Sequence, residues 1–342
     1  MAPVIAALRA RLPDARHAIV HTGQHYDRMM SEVFLEELGV PEPDHMLGVG
    51  SGSHAVQTAR VIESMEPVLR EEDPELVIVP GDVNSTLAAA LAAAKAGIAL
   101  AHVESGLRSF DRTMPEEINR TITDQLSDLL FLHSDEAAEN LRAEGVADGR
   151  MHMVGNTMID TLVSLEPRFS AAGTAGKLGL EPGDYLLVTL HRPALVDGPL
   201  LRVAMEQLSG VARELPVVFP VHPRTRNMMR EMAIEAAGVL LSDPVGYLDF
   251  LSLEADARAV LTDSGGIQEE TTYLGVPCFT LRANTERPVT VRAGTNTVLG
   301  LEPERIGEIP SLLEAGAGGS GNRPPLWDGR AAERVADIVA SW

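Results

Sequence analysis

One cysteine in 342 residues, Cys278, excludes a disulfide within the chain. It lies in the strand-like run "VPCFTL", which suits a small buried hydrophobe better than a nucleophile, so no redox role follows. Cations are scarce too. The 28 Lys and Arg are outnumbered by 49 Asp and Glu, giving a formal charge of −21 and a pI near 4.8. A nucleic-acid partner needs a dense basic face to displace counterions from phosphates, and this composition argues against one. No apolar stretch approaches the ~18 residues of a membrane span, and the first residues lack the basic and apolar regions of a secretion signal. The expectation is a cytoplasmic chain with no membrane partner. Repeats of solenoid period are also missing.

What remains is an ordinary globular composition, 45% apolar and 23% charged, in a chain about twice the commonest domain size, so two domains are expected. Short apolar runs alternate with amphipathic stretches: "HAIVHTG" (17–23), "ELVIVPGD" (75–82), "IALAHVESG" (98–106), "LLFLHSD" (129–135) and "MHMVGN" (151–156). Continuous apolar strands separated by helical patterns imply parallel strands covered on both faces, a doubly wound α/β half. After "AAGTAGKLGLEPGD" (171–184), read as a connector, the pattern restarts with "YLLVTLHR" (185–192), "VVFPVHP" (217–223), "GVLLSDP" (238–244), "RAVLTDSGG" (258–266) and "PCFTLR" (277–282). The stretch "AGAGGSGNRPP" (315–325) is too rich in Gly and Pro to form an element, and a closing helix is expected from about Arg330.

Ligands of open α/β sheets bind outside the carboxyl ends of the strands, so the residues that end each run are the ones to weigh. "TDSGGIQEETTYLGVP" (262–277) places two glycines after a buried strand, where the backbone turns tightly and a helix begins. Free N–H groups and the positive end of the helix dipole favour an anion at Ser264, Gly265 and Gly266; a tight connection with no ligand is the other reading. No P-loop lysine is present, and the glycine spacing is not that of a dinucleotide site. Glu270, one turn into the helix, either accepts two ribose hydroxyls or only favours the helix N-terminus. An anion turn with a nearby carboxylate describes a sugar-nucleotide site.

Asp82 in "PGDVNST" and Glu104 in "HVESGLRSF" follow consecutive strands, and Glu116 and Glu117 in "MPEEINR" open a helix. Carboxylates gathered at strand ends are candidates for proton transfer. Asp82 also suits a helix cap, and Glu116 and Glu117 also suit ordinary first-turn positions. Glu104, inside the end of a buried strand, needs a partner. His191 ends the first strand of the second half beside Arg192 and Pro193, where it would face an interdomain cleft; His25, His102 and His222 lie at similar strand ends. None of these histidines shows close ligand spacing, so no metal is expected.

Together, "TGQHYD", "PGDVNST", "HVESGLRSFDRTMPEEINR", "VGNTMIDTL", "TLHRP", "PVHPRTR", "LTDSGGIQEE", "LGVPCFTLR" and "NTERPVTVRAGTNTVLG" resemble the non-hydrolysing UDP-N-acetylglucosamine 2-epimerases, in that family's order and along the whole chain. The resemblance implies two Rossmann-like domains facing a cleft, in the arrangement of GT-B glycosyltransferases: residues 1–165 with 326–342, and residues 166–325. It implies a homodimer that interconverts UDP-N-acetylglucosamine and UDP-N-acetylmannosamine with no metal or other cofactor. It also implies catalytic roles for Asp82, Glu104, Glu116 and His191. UDP-sugar binding falls to Gln24, His25, Arg108, His222, Ser264, Gly265, Gly266, Glu270 and Arg287.

Two departures accompany it. The family opens with a strand and a G-T-R-P-E turn, whereas "MAPVIAALRA" matches the helix after that turn. The expectation is a start codon upstream by about fifteen residues, one strand–turn–helix unit, and weak UDP binding without it. Pro193 and Ala194 stand where many bacterial members have arginine and glutamate, beside the place where a second substrate molecule binds as activator. The competing expectations are a hydrolysing epimerase that releases N-acetylmannosamine and UDP, and a non-catalytic sugar-nucleotide-binding protein.

Overall fold

Parallel strands that are apolar along their length need cover on both faces, and the computed structural model of the chain shows how it is supplied. Residues 1–23, 38–318 and 322–342 are described. They divide into two compact units, Met1–Thr161 with Pro325–Trp342, and Leu162–Pro324. Both are Rossmann-like.

In the first unit β1 (Val20–His21) pairs in parallel with β2 (His45–Met46). A second parallel sheet runs β3 (Leu76–Pro80), β4 (Ala99–Val103), β5 (Leu129–Leu132) and β6 (Met151–Met153) in that order. Helices make the crossovers: Asn84–Ala96 after β3, Pro115–Leu126 after β4 and Asp135–Ala143 after β5. The first of these is rich in alanine, the best helix former, and stops at Gly97, whose φ of 74° is left-handed and whose N–H reaches the carbonyls of Ala93 and Ala94. Its small side chains are buried and let it pack closely against the helix His54–Glu72. Alternation along β5 shows why the strand is apolar throughout. Leu129 and Phe131 join a core with Val4, Leu8 and Val335, while Leu130 and Leu132 join another with Leu141 and Val146. Each such side chain contributes roughly 1.5–3 kcal/mol by leaving water.

The second unit is one parallel sheet of six strands: β7 (Leu186–Thr189), β8 (Val217–Pro220), β9 (Val239–Ser242), β10 (Ala259–Thr262), β11 (Cys278–Thr280) and β12 (Asn296–Val298). Their spatial order, β12-β11-β10-β7-β8-β9, reverses direction between β7 and β10. That reversal is where an open sheet leaves a crevice at its carboxyl edge. Leu186 and Val188 pack with Met205, Leu208 and Phe219 on one face, and Leu187 packs with Tyr185, Leu253 and Val260 on the other. Cys278 is fully buried, and burial pushes its thiol up to about 12.

Three features differ from the sequence pattern. β2 and β12 were not expected, because two or three residues with polar members give no apolar run. The supposed connector 171–184 contains a short helix, Thr174–Lys177, in which Ala175 enters the core and Thr174 Oγ1 donates to Asp249 at 2.6 Å. No helix among the described residues is long and apolar enough to cross a membrane.

The last segment is tied back to the first unit. Trp327 Nε1 donates to the His133 carbonyl at 3.0 Å, and a Cβ on Gly155 would stand 2.1 Å from the Leu326 carbonyl oxygen, so only glycine fits there. The Asp160 carboxylate accepts the N–H groups of Ala331 (3.1 Å) and Ala332 (2.6 Å), which open the final helix Ala331–Ser341 and have no partner within it. Asp160→Ala leaves both amides buried and unpaired, and a loss of about 1–3 kcal/mol is expected in urea unfolding. A change below about 0.5 kcal/mol would show that the final helix does not depend on this tie.

Candidate functional site

In the first unit the polar residues collect where β3 and β4 end. β3 runs out at Pro80, and Gly81 turns the chain with a φ of 60° before Asp82. β4 runs out at Val103, and Glu104 follows with a φ of 69°, a left-handed backbone that costs a residue with a Cβ roughly 1–2 kcal/mol. Neighbouring bonds enforce it: Gly81 N–H donates to the Val103 carbonyl (3.0 Å) and Ser105 N–H to the Phe131 carbonyl (3.1 Å). The Glu104 carboxylate lies against the Gly81 turn, its Oε2 3.7 Å from the point a Cβ on Gly81 would occupy. Asp82 and Glu104 are thereby brought together on adjacent strand ends.

The helix Pro115–Leu126 separates its two first-turn carboxylates. Glu117 is buried and accepts from Ser109 N–H (2.9 Å), Ser109 Oγ (2.9 Å) and Phe110 N–H (2.9 Å), which makes it a brace for the loop before the helix. Glu116 is half-buried and makes no such bond among the described residues. One turn on, Arg120 forms an ion pair with Asp82 and reaches Glu117 at 3.2 Å, while Asn119 Nδ2 donates to the Asp82 carbonyl at 2.8 Å.

Beneath these groups is a buried set of charges that the motifs did not reveal. His102 Nδ1 meets Asp124 Oδ1 at 2.6 Å and its Nε2 meets the Gly81 carbonyl at 2.7 Å. The imidazole thus bridges a carboxylate of one helix and the carbonyl of the Gly81 turn. Burial alone would raise the Asp124 carboxyl, but His102 and Arg108 hold it below the usual carboxylate range. Arg108, which the resemblance assigned to substrate binding, is held by carboxylates of the chain itself. Its side chain is 1% exposed, with Asp124 Oδ2 at 2.8 Å and both Glu144 oxygens at 2.6 Å. Gln24 and His25 lie outside the described residues.

In the second unit the site gathers at the β7/β10 reversal. Asp263, which ends β10 and is 1% exposed, accepts the N–H groups of His191 and Arg192, each at 2.8 Å, and its other oxygen is 3.0 Å from His191 Nδ1. It fixes the half-exposed His191. The motifs gave Asp263 no role; its signal in the sequence is a carboxylate at the end of a buried run, which requires partners. The His222 ring is 6.2 Å from that of His191, and its Nδ1 accepts Arg224 N–H at 3.2 Å, capping the helix Pro223–Glu231. Burial, the His191 ring and Arg224 lower its pKa, which favours the neutral form.

Ser264 precedes the helix Gly265–Leu274 and does not cap it with its own side chain, so first-turn N–H groups remain for a ligand. Arg287 lies across this end: a Cβ on Gly265 would stand 2.4 Å from Arg287 Nη1. Glu269 at 3.1 Å and Glu286 at 3.6 Å hold the guanidinium. Buried Gln268 links the turn to the Arg287 loop, donating to the Ser264 carbonyl (3.0 Å) and accepting from Thr285 Oγ1 (2.6 Å) and Asn296 Nδ2 (2.9 Å). A helix N-terminus beside an arginine is an anion site. Glu270 is buried further in and accepts from Tyr247 Oη at 2.6 Å; burial and then the charge of Glu269 raise its carboxyl, and burial beside Glu270 raises that of Glu254. Among the described residues no group of three His, Cys, Asp or Glu is arranged to hold a metal ion.

Residues 7–340 match the family described as UDP-N-acetylglucosamine 2-epimerase. A Methanococcus maripaludis protein named UDP-N-acetylglucosamine 2-epimerase is 39% identical over 99% of this chain and 94% of its own. A Pseudomonas aeruginosa protein named UDP-2,3-diacetamido-2,3-dideoxy-D-glucuronate 2-epimerase is 40% identical over 94% of this chain and 90% of its own. The crystal structure of Methanocaldococcus jannaschii UDP-GlcNAc 2-epimerase, in complex with UDP-GlcNAc and UDP, is similar with a TM-score of 0.87 and 38% identity, covering 100% of this chain and 96% of that one.

The loop that presents Arg287 depends on a titratable brace. Burial would raise the Glu286 carboxyl, but its two bonds from Arg282 (2.6 and 2.8 Å) and the Arg287 charge bring it down to about 2. A depressed carboxyl stabilises the fold above its unfolded value near 4.5 and loses that contribution as pH falls toward 2. The stability gap between the native chain and Glu286→Gln, up to about 3 kcal/mol near neutrality, is expected to narrow from about pH 6 to about pH 3 in urea unfolding. A gap independent of pH would show that the Glu286 charge does not brace the loop.

Proposed function

This chain belongs to the UDP-N-acetylglucosamine 2-epimerase family, and from that membership we infer that it interconverts UDP-N-acetylglucosamine and UDP-N-acetylmannosamine at C2. The observation that bears most weight is the pair Asp82 and Glu104, two carboxylates on adjacent strand ends, in a chain that elsewhere sets an arginine over a helix N-terminus.

The chemistry explains why both are needed. C2 has no neighbouring carbonyl, so its proton becomes acidic only as the C1–O bond to UDP breaks. The leaving diphosphate takes that electron pair and is held by the Ser264 hydroxyl and the first-turn N–H groups of Gly265 and Gly266 with Arg287, while His191 stabilises its departing phosphate. A carboxylate removes the C2 proton, and the C–H pair becomes the C1–C2 double bond of a glycal. Return of a proton to the opposite face of C2, with re-addition of UDP at C1, completes the epimer. No electrons are gained or lost overall, so no redox partner enters. Asp82, Glu104 and Glu116 share the proton handling as a coupled set, without a microscopic assignment to one of them. Glu270 and His222 contact the nucleoside portion.

A homodimer in the cytoplasm completes this reading. Ile118 and Ile122, four apart on one helix face, are exposed, as are Val83 and Phe110, and such a cluster is what an interface between copies covers. Sedimentation equilibrium is expected to give twice the 36.6 kDa chain mass, and Ile118→Asp with Ile122→Asp to give the single mass. A native particle of one chain would remove the dimer from the proposal.

Proton NMR of UDP-N-acetylglucosamine in deuterium oxide tests the reaction directly. Deuterium is expected at C2 together with a UDP-N-acetylmannosamine signal, and Glu104→Gln should slow both at least about 100-fold with UDP still bound. Free N-acetylmannosamine as the product would identify the hydrolysing reaction, and bound UDP without any exchange would identify a binding protein. The diacetamido-glucuronate nucleotide belongs in the same assay, because its C2 chemistry is the same and a comparably similar relative is named for it.

A further inference from the structure

Glu104 occupies a backbone conformation that a glutamate adopts only when its surroundings impose it. The imposing groups converge on one side chain. Asp124 is fully buried in the last turn of the helix Pro115–Leu126 and is not part of the reaction described above. Its Oδ1 accepts from His102 Nδ1 at 2.6 Å; its Oδ2 accepts from Gly106 N–H at 3.1 Å and pairs with Arg108 Nη2 at 2.8 Å. Residues 102 and 106 stand two positions to either side of Glu104, so one carboxylate grips both flanks of the turn that bears it. The ring of His102 extends the grip, for its Nε2 donates to the Gly81 carbonyl at 2.7 Å, immediately before Asp82. Gly106 has no slack: its φ is 80°, and a Cβ there would stand 2.6 Å from the Ala137 carbonyl oxygen.

We propose that Asp124 is a positioning residue for the C2 proton transfer, holding the Glu104 and Asp82 turns in a fixed mutual geometry through His102 and Gly106. The proposal rests on the epimerase reading. A neutral amide at this position would lose the charge that pairs with Arg108 and, turning its N–H₂ toward His102, would require the ring to present an accepting Nδ1. The fold would still close around a side chain of the same size. The two turns would drift, and displacements of about 1 Å are enough to slow a proton transfer about 100-fold.

The test compares the native chain with Asp124→Asn in the deuterium oxide assay, with UDP affinity measured in parallel. The UDP-holding groups of the proposed mechanism all lie in the second unit, so kcat for C2 exchange should fall about 100-fold while KM and the UDP Kd move by less than about threefold. Two results overturn the proposal: a folded Asp124→Asn chain with kcat within about threefold of native, or kcat and UDP affinity lost together, which marks a general structural role. If Asp124→Asn does not fold, His102→Gln removes the ring that joins Asp124 to Gly81 and leaves the Asp124 bond to Gly106; a drop of about tenfold in kcat with UDP affinity intact is expected, and unchanged kcat overturns the proposal. A native chain that binds UDP and exchanges nothing at C2 fails the epimerase reading and this role with it. A native chain matched by its variant fails this role alone.

Discussion

A strand covered by helices on both faces has no place along its length for a charge that water cannot reach, so charged side chains are pushed to its end, where the polypeptide turns and solvent returns. The four- and six-stranded sheets place the site's carboxylates by that constraint. Asp82 and Glu104 close β3 and β4, while His191 and Asp263 close β7 and β10. Groups placed there remain partly desolvated and each requires a partner: Arg120 for Asp82, Asp263 for His191, Glu269 and Glu286 for Arg287. Removing one member of such a pair strands the other charge at a cost of several kcal/mol, so the pairing that makes the site tolerable also makes it stiff.

An acidic chain that holds a diphosphate faces a second problem, because its formal charge of −21 repels the ligand at long range. The remedy is local. Salt screens fields beyond about 8 Å, and within that distance the proposed diphosphate site offers backbone N–H groups, a helix N-terminus and one arginine. The carboxylates around Arg287 do not undo this. Glu269 and Glu286 fix the guanidinium in place, and Gln268 ties its loop to the Ser264 turn through uncharged hydrogen bonds. Neutral donors thus do work that a cluster of lysines would do in a basic protein.

Much of this was legible in the residues. Apolar runs of four or five gave β3, β5, β7, β8 and β10, and the paired glycines of "TDSGG" announced a helix beginning at Gly265. β2 and β12 were not legible, since their pairing is imposed by neighbours and not by their own side chains. Composition and position could not tell Glu116 from Glu117; the resemblance singled out Glu116, and in the structure the amides of Ser109 and Phe110 hold Glu117. Arg108 was assigned to substrate binding by the resemblance alone, and nothing local shows that Glu144, 36 positions away, will pair with it. Asp124 in "TITDQL" looks like an ordinary helix-surface residue, because nothing local shows that His102, 22 positions earlier, will face it.

The return of the final segment to the first unit has a consequence for how the chain is made. Val335 and Ala336 fill the same core as Val4, Phe131 and Val154, and Asp160 waits for amides about 170 positions later. A ribosome delivers everything from Leu162 to Pro324 before those residues exist, so the second unit can close while the first still exposes an unfilled groove. The unit synthesised first is the one completed last. Contacts of such sequence separation slow folding, and the nascent protein would present that apolar groove to chaperones until its last helix emerges.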